Sequence, residues 1–435
     1  MQRISIENFG PINRFEADVK DVMLLIGPQA SGKSTLSKSI FIFKSIKDEL
    51  SRFILYVSNE QLDRPINEFS KYLRKRFVEF FGTTKHMQPF SLKYYYSPEK
   101  EMTITLNSQG LVDVNFNSNI LADMNVIFKN VRNYNESMLR SQTRYVTLEE
   151  RLEIDSEKTL YLKSIKSHID DLFEDTRATV FIPSGRSLIS TLADQLQDIE
   201  PYSLDFFMKS FVERINRLKL SFRDTLNILI EEREGLISEE ANLSEIKYAA
   251  NIIRKILKGE YRFEADGERI YLNDKQYVKL QYASSGQQES VWILLLIFRY
   301  ILDGTSVFIV FEEPEAHLYP ETQSDIVELI GLLANINNNQ IVVTTHSPYI
   351  LSSFNNLLYA YQIGKNKIGM EKEAVESIVN RNIWIAPNRT SAYFISESRC
   401  ESIFDDELKL IQAEKIDSAS NIINNKFNDL FNLDN

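Results

Sequence analysis

Cysteine is almost absent from this chain of 435 residues, with Cys400 standing alone. A single thiol excludes an intramolecular disulfide framework and a Cys-rich zinc site. An excess of positive charge is also missing. The formal net charge is −11, whereas proteins that coat nucleic acid are usually basic. Any contact with DNA must then come from a local patch, a partner or the geometry of a dimer. Long apolar runs are missing as well. The strongest, Val291 to Ile297, is about a third of the roughly 20 residues a membrane-spanning helix needs, so no membrane partner is expected. The opening Met1-Gln2-Arg3-Ile4-Ser5 has no apolar signal core, and a cytoplasmic location is the default expectation. Neither an internal repeat nor a low-complexity segment is visible.

What remains is the composition of an ordered globular protein, with 27 Phe and 20 Tyr arguing for packed cores rather than disorder. The length suggests two or three lobes. Ile4 and Ile6 alternate with polar residues, as do Phe15, Ala17 and Val19, predicting an antiparallel strand pair. Val22-Met23-Leu24-Leu25-Ile26 is a continuous apolar run, the pattern of a buried parallel strand. A helix is expected from about Lys33 to Lys47 and helical structure from about Arg52 to Gly82. Short strands are expected between Leu92 and Phe116, and mixed helices between Ile120 and Asp175. Thr179 to Ile182 reads as another buried strand. Further on, the expected order is short strands near Tyr261 and Ile270, a helix from Gln287 to Leu302, and a strand from Val307 to Phe311. A helix from Thr322 to Ile336, a strand from Ile341 to Thr344 and a last strand from Leu357 to Ile363 follow.

Phe207, Phe211, Ile215, Leu218, Phe222, Leu226 and Leu229 follow spacings of three and four, close to an 11-residue repeat and so to a nearly straight stripe. Gly235 and Ser238-Glu239-Glu240 interrupt it, and a second stripe runs through Leu243, Ile246, Ala250, Ile253 and Leu257. Two readings fit: a two-helix arm that returns on itself, or helices packed inside the domain. Near the C-terminus, Ile416, Ala419, Ile423, Phe427 and Leu430 form a helical apolar face, suited to packing on the core or docking a partner.

Four motifs carry chemistry. Gly27-Pro28-Gln29-Ala30-Ser31-Gly32-Lys33-Ser34-Thr35 matches G-x-x-x-x-G-K-[ST] between a buried strand and a helix. Backbone N–H groups of such a loop, aided by the helix N-terminus, wrap phosphates. Lys33 can reach the β- and γ-phosphates and the Ser34 hydroxyl can ligate Mg²⁺. Val307 to Phe311 is an apolar strand ending in Glu312-Glu313-Pro314, with Glu312 assigned to the metal and Glu313 to the attacking water. Ser284-Ser285-Gly286-Gln287 opens a helix, either as a plain cap or as a second anion site, Ser285, Gly286 and Gln287, for the nucleotide of another subunit. His346 follows a buried strand in Thr344-Thr345-His346-Ser347-Pro348. It is structural or, given the other motifs, a γ-phosphate contact.

In this order the motifs resemble the ABC-type P-loop ATPase superfamily, and more narrowly its RecF, Rad50 and OLD branch. Ile4-Ser5-Ile6-Glu7-Asn8-Phe9-Gly10 is similar to that branch's first strand. Glu312-Glu313-Pro314-Glu315-Ala316-His317-Leu318-Tyr319-Pro320, Thr345-His346-Ser347-Pro348 and Phe181-Ile182-Pro183-Ser184-Gly185-Arg186 are like the OLD-type and related bacterial defence ATPases, such as the Septu- and PARIS-like subunits. The resemblance covers roughly residues 1–45 and 179–363. It implies an α/β ATPase head, a mixed sheet flanked by helices, with an inserted helical arm and a short C-terminal helical extension. It also implies ATP and Mg²⁺ as ligands. The chain would form a homodimer or higher oligomer with ATP at the subunit seam, each ATP lying between one P-loop and the partner's Ser285-Gly286 turn. Ala316-His317-Leu318 would cross that seam, and Arg186 is either a phosphate or seam contact or a surface salt bridge. The expected catalytic residues are Glu313, His346 and Lys33. The expected nucleotide contacts are Gly27, Gln29, Ala30, Ser31, Gly32, Lys33, Ser34 and Thr35, with Ser285, Gly286 and Gln287 from the partner; Ser34 and Glu312 would take the metal.

The corresponding division is 1–50 for the P-loop part of the head, 51–178 for an inserted helical and β lobe, 179–200 for a strand and loop, 201–260 for the arm, 261–363 for the rest of the head and 364–435 for a C-terminal extension. OLD-type nucleases continue into a metal-dependent domain. Here Asp405, Asp406 and Glu407 form one local acidic run, so nuclease chemistry is expected of a separate protein. The expected function is a regulatory ATPase of a bacterial antiphage system that controls a nuclease or toxin effector. The alternative is a RecF- or Rad50-like DNA-binding ATPase in repair. Two basic clusters bear on DNA: Lys71, Arg74, Lys75 and Arg76, and Arg214, Arg217, Lys219 and Arg223. Each is either a phosphate-contacting patch or a solvated face balanced by acids. The insertion between Thr35 and Ser284 argues against a transport cassette.

Overall fold

The computed structural model describes residues 2–57, 63–141, 148–191, 204–235, 240–412, 425–426 and 428–430. In chain order the elements are β1 (Arg3–Phe9), β2 (Ile12–Asp18), β3 (Val22–Ile26), α1 (Lys33–Val57), α2 (Pro65–Phe81), β4 (Ser91–Ser97), β5 (Lys100–Leu106), β6 (Val112–Phe116), α3 (Ser118–Ser141), α4 (Leu148–Phe173) and β7 (Ala178–Ile182). They continue with α5 (Ser187–Thr191), α6 (Phe206–Lys219), α7 (Leu226–Glu234), α8 (Glu240–Leu257), β8 (Glu260–Glu264), β9 (Gly267–Tyr271), β10 (Tyr277–Lys279), α9 (Ser285–Asp303), β11 (Val307–Glu312), α10 (Pro320–Asn335), β12 (Gln340–Thr345), α11 (Pro348–Gly364), α12 (Met370–Ile378), β13 (Thr390–Ser396) and β14 (Arg399–Ser402). The α/β architecture expected from the motif order is the one observed. No helix among the described residues is long and apolar enough to cross a membrane.

The chain divides into two compact units. The first comprises Met1–Val19 and Thr35–Thr179. Its sheet has the order β2-β1-β4-β5-β6, with each pair antiparallel. Ile4 and Ile6 are buried while their strand neighbours are not, the alternation of a sheet with one covered face. Phe9 packs among Phe77, Phe81 and Phe90 with ring centroids 4.8–5.9 Å apart, the tilted and edge contacts aromatic rings favour. Lys44 and Asp175 form a buried pair at 2.6 Å. Burial lowers the Lys44 pKa to about 8 even with Asp175 opposing it. The first basic cluster lies in this unit and is largely neutralised: Lys71 meets Glu68, Arg74 meets Asp113, and Arg76 meets Glu49 and Glu79.

The second unit comprises Lys20–Ser34 and Val180–Asn435. Its six-stranded sheet has the order β14-β13-β3-β12-β11-β7. β13, β3, β12 and β11 are parallel neighbours, and β14 is an antiparallel edge. β3, β11 and β12 are buried at every position, which is why each contains a continuous apolar run rather than an alternating pattern. A three-stranded antiparallel sheet, β10-β9-β8, lies in the same unit. Its core is filled by Val291 to Leu302 of α9, by α10 and by α11.

Two expectations change here, and one open alternative is decided. The packed reading of residues 204–257 holds: Phe211, Ile215, Leu218, Phe222, Leu226, Ile230, Ile246, Ile253 and Leu257 all join this core. The stripe is carried by separate helices, because Asp205 caps α6 and Thr225 caps α7, each accepting a backbone N–H. The expected last strand, Leu357 to Ile363, is helical, the end of α11. Ile350, Leu351, Phe354, Leu357 and Leu358 are buried at helical spacing while Tyr359 is exposed, so the 3.6-residue period decides the segment. The sheet is completed instead by β13, which pairs with β3 in register Thr390↔Val22 to Phe394↔Ile26. The C-terminal apolar face at Ile416, Ala419, Ile423 and Phe427 lies outside the described residues; Leu430 is exposed.

Candidate nucleotide-binding and hydrolysis site

In open parallel sheets, ligands bind beyond the carboxyl ends of the strands. Ile26 of β3 pairs with Thr345 of β12, and Thr344 of β12 pairs with Glu312 of β11. The three strands therefore end side by side, with the P-loop, His346 and Glu313 immediately beyond them.

Gly27, Gln29, Ala30, Ser31 and Gly32 form the loop, and Lys33, Ser34 and Thr35 begin α1. Gly27 has to be glycine because a Cβ there would lie 2.0 Å from the Ile395 carbonyl oxygen of β13. Ala30 and Gly32 take positive φ of 60° and 108°, turning the loop sharply around its own centre. Lys33 is 6% exposed. Its ammonium donates to the carbonyls of Gly27 and Pro28, each at 2.8 Å. Burial lowers its pKa, while the charges of Glu313, Glu315 and Glu312 oppose that shift. The Ser31 hydroxyl is buried with no hydrogen-bond partner among the described residues, and such orphans are rare unless a ligand or water completes them.

Glu313 sits at φ 45°, a left-handed conformation that costs a non-glycine residue roughly 1 kcal/mol. Its N–H donates to the Thr344 carbonyl at 3.0 Å, and its carbonyl accepts from the Arg186 guanidinium at 3.0 Å. Those two bonds hold the bend that places the Glu313 carboxylate 3.5 Å from His346 Nδ1. The hydrogen bond from His346 holds the Glu313 pKa below the usual glutamate value, and the same bond raises that of His346. His346 remains 56% exposed, open to a ligand on its other side.

Two residues have roles that the sequence did not disclose. Glu315 is buried; its Oε1 accepts from the Thr345 hydroxyl at 2.5 Å and the His346 N–H at 3.1 Å. It lies 3.6 Å from His346 Nδ1, and burial raises its pKa. Its place in Glu312-Glu313-Pro314-Glu315 was the available signal. Arg186, expected as a phosphate or seam contact, is neither: it is 0% exposed. It donates to the carbonyls of Pro183 at 2.6 Å, Glu312 at 2.7 Å and Glu289 at 3.2 Å and pairs with the Glu289 carboxylate at 3.4 Å. It thus clamps the end of β11 to α9. The acid Glu289, just before the apolar run Val291 to Ile297 of α9, was the signal for a buried partner.

Ser284 caps α9 in a capping box with Gln287, and Gln287 Nε2 donates to the Leu257 carbonyl at 2.7 Å. The Gln287 side chain is therefore taken up by the cap. The N–H groups of Ser285 and Gly286 are those a helix start leaves without intrahelical partners. Neither residue is hydrogen-bonded to the P-loop among the described residues. Gly286 instead lies against the loop after β11, where an added Cβ would be 3.0 Å from the His317 carbonyl oxygen.

A family model for the AAA ATPase domain matches residues 1–351. This chain belongs to the AAA ATPase domain family. The match spans all four motifs, and this AAA ATPase is accordingly a nucleotide-binding P-loop enzyme that hydrolyses ATP. Curated proteins give no match. Solved structures give distant likenesses. The Smc head bound to the C-winged helix domain of ScpA is 13% identical over 81% of this chain and 90% of that one, with a TM-score of 0.39. The SMC head domain from Thermotoga maritima is 14% identical over 81% and 90%, at 0.35. The Smc head domain with an extended coiled coil, bound to the C-terminal domain of ScpA derived from Pyrococcus furiosus, is 11% identical over 98% and 100%, at 0.38.

Proposed function

We propose that the chain is an ATP-driven dimerising switch, the regulatory subunit of a bacterial antiphage system that holds or releases a separate nuclease or toxin effector. The observation that carries the switch is the convergence of Lys33, Glu313, Glu315 and His346 beyond three neighbouring strand ends, with Ser285 and Gly286 on a different helix start. Phosphates entering the P-loop take over the Lys33 ammonium from the Gly27 and Pro28 carbonyls and supply a partner for the Ser31 hydroxyl. Glu313, already ionised, accepts a proton as water attacks the γ-phosphorus and the bond to ADP breaks. His346, held through Nδ1 by two carboxylates, leaves Nε2 for a γ-phosphate oxygen. Ser34 and Glu312 would hold Mg²⁺, which would supply positive charge to offset the negative charge of the phosphates. One carboxylate and a hydroxyl suit an ion that keeps waters and substrate phosphates as its remaining ligands.

Pairing is supported by exposed aromatics beside the site: Tyr282 precedes the Ser285-Gly286 turn, Tyr319 follows His317 and Tyr349 follows His346. Large exposed tyrosines of this kind are characteristic of binding surfaces. The antiphage assignment is supported by the Glu312-Glu313-Pro314-Glu315-Ala316-His317 and Thr345-His346-Ser347-Pro348 signatures. DNA is the less favoured partner, because acids neutralise most of the Lys71–Arg76 cluster and Lys219 pairs with Glu268. A pull-down of tagged protein from its host, with and without ATP, tests the assignment. The proposal expects a stoichiometric protein with a nuclease or toxin signature whose retention changes with ATP. Recovery of self-dimers and DNA alone would contradict it and favour the repair reading.

A further inference from the structure

A second cavity lies in the sheet-bearing unit, at the end of the sheet opposite the P-loop. It measures about 690 Å³, and its wall includes Lys20, Lys365, Lys409, Ser391, Tyr361 and Phe404. Thr390 and Ser391 begin β13, and Thr390 pairs with Val22 at the start of β3. The two sites are thus separated by the length of β3, roughly 15 Å at about 3.3 Å per residue. β13 runs between them: Ser391 faces this cavity, and the Ile395 carbonyl packs against Gly27 of the P-loop.

We infer that this cavity binds a small phosphorylated anion of nucleotide size. Its volume falls within the roughly 300–1,000 Å³ of small-molecule sites. In a chain with a net charge of −11, three lysines meet here and Asp406 is the one acid in the wall. These ammonium groups are weakly engaged. Lys20 donates to the Asn388 carbonyl at 3.0 Å, Lys365 lies 5.7 Å from the centre of the Tyr361 ring, and Lys409 is 3.6 Å from an Asp406 carboxylate that is itself turned to solvent. Compact, rotatable ammonium donors suit phosphate oxygens. Ser391 supplies an independent sign. It is 7% exposed, and its hydroxyl has no hydrogen-bond partner among the described residues. A buried hydroxyl of this kind calls for a partner, and Ser391 is one of the residues that line the cavity. Phe404 and Tyr361 add apolar surface for the rest of the ligand.

The test is calorimetric titration of the full chain carrying Lys33→Ala, which removes the P-loop as a competing phosphate site, with AMP and with inorganic pyrophosphate as probes. At least one should bind. Its affinity should fall about tenfold or more when Lys365→Glu and Lys409→Glu are added, the loss expected of removed charge-assisted contacts. Ser391→Ala should weaken it several-fold. Binding of AMP alone identifies a nucleotide ligand, whereas binding of both probes shows that phosphate itself is recognised. In the wild-type background the double lysine variant should keep its ATP turnover and melting temperature. If it melts early, Lys20→Gln provides the same comparison. The inference is overturned if neither probe binds at about 5 mM, far above the affinity of a functional site, or if the charge-reversed or Lys20→Gln chain binds as the parent does.

Discussion

Lys33 and Glu313 belong to one electrostatically coupled group with His346 and Glu315, but they act at different moments, and single substitutions separate them. Lys33→Ala removes the cation that phosphates attract into the loop, so nucleotide binding itself is lost. Glu313→Gln keeps the side-chain shape and the left-handed bend, so binding persists. Turnover should fall by about 10²–10⁴, the usual contribution of a general base, as read by nucleotide-binding fluorescence beside phosphate release. Wild-type turnover in Glu313→Gln would rule out the assignment. The pair with His346 also has a pH signature. The Glu313 hydrogen bond raises the His346 pKa above 6.5, so the folded state binds that proton more tightly. The stabilisation is fully present below pH 6.5 and is lost as pH rises through the raised value. Because His346 is half exposed, the effect stays within about 1 kcal/mol. His346→Ala should therefore melt earlier than wild type below that pH and converge with it above. A deficit independent of pH would show that the histidine is held by packing alone. The candidates at this scale were legible because P-loop chemistry admits few residue types. Glu315 was legible only as a letter in a motif, since its role depends on the Thr345 hydroxyl and the His346 N–H, 30 residues away in sequence.

At the scale of elements, the site is held by contacts that cross the sheet. Arg186 joins the loop after β7 to the end of β11 and the start of α9, and four backbone carbonyls accept from it. Arg186→Ala would leave the Glu289 carboxylate buried without its counter-ion and remove one donor from each of those carbonyls, costing about 3–5 kcal/mol. Chemical denaturation should show that loss, with turnover impaired through the displaced Glu313. A variant of wild-type stability would mean that the buried pair is dispensable. Strands were the most readable elements, because β3, β11 and β12 are buried at every position and each is centred on an apolar run, Val22 to Ile26, Val307 to Phe311 and Ile341 to Val343. Helices lining the same core were less so. Residues Leu357 to Ile363 are apolar enough to pass for a strand, and only the run back to Ile350 reveals the helical period. The stripe from Phe207 to Leu229 kept its spacing across the α6–α7 break, because Phe222 in the intervening turn is also buried. β13 went unrecognised: its Thr390-Ser391-Ala392-Tyr393-Phe394-Ile395 mixes small, polar and aromatic residues, and its place beside β3 is a matter of long-range pairing.

For the whole molecule, the sequence carried the order of motifs, and that order was enough for the α/β sheet and the nucleotide chemistry. It carried little about the cavity at the far end of the sheet, whose lysines come from three separate stretches of chain. It also could not decide between arm and packed helices, because either burial satisfies the same stripe. In the proposed dimer each ATP is sandwiched between the P-loop of one copy and the Ser285-Gly286 turn of another, since among the described residues that turn makes no hydrogen bond to its own P-loop. The most direct measurement is ATP turnover of an equimolar mixture of two inactive chains, one carrying Lys33→Ala and the other Ser285→Arg. With a shared site, half of randomly formed pairs are mixed and each mixed pair regains one intact site. The mixture should then recover about a quarter of the wild-type rate per chain. A mixture no more active than its separate components would contradict the shared site and leave each chain to hydrolyse ATP alone.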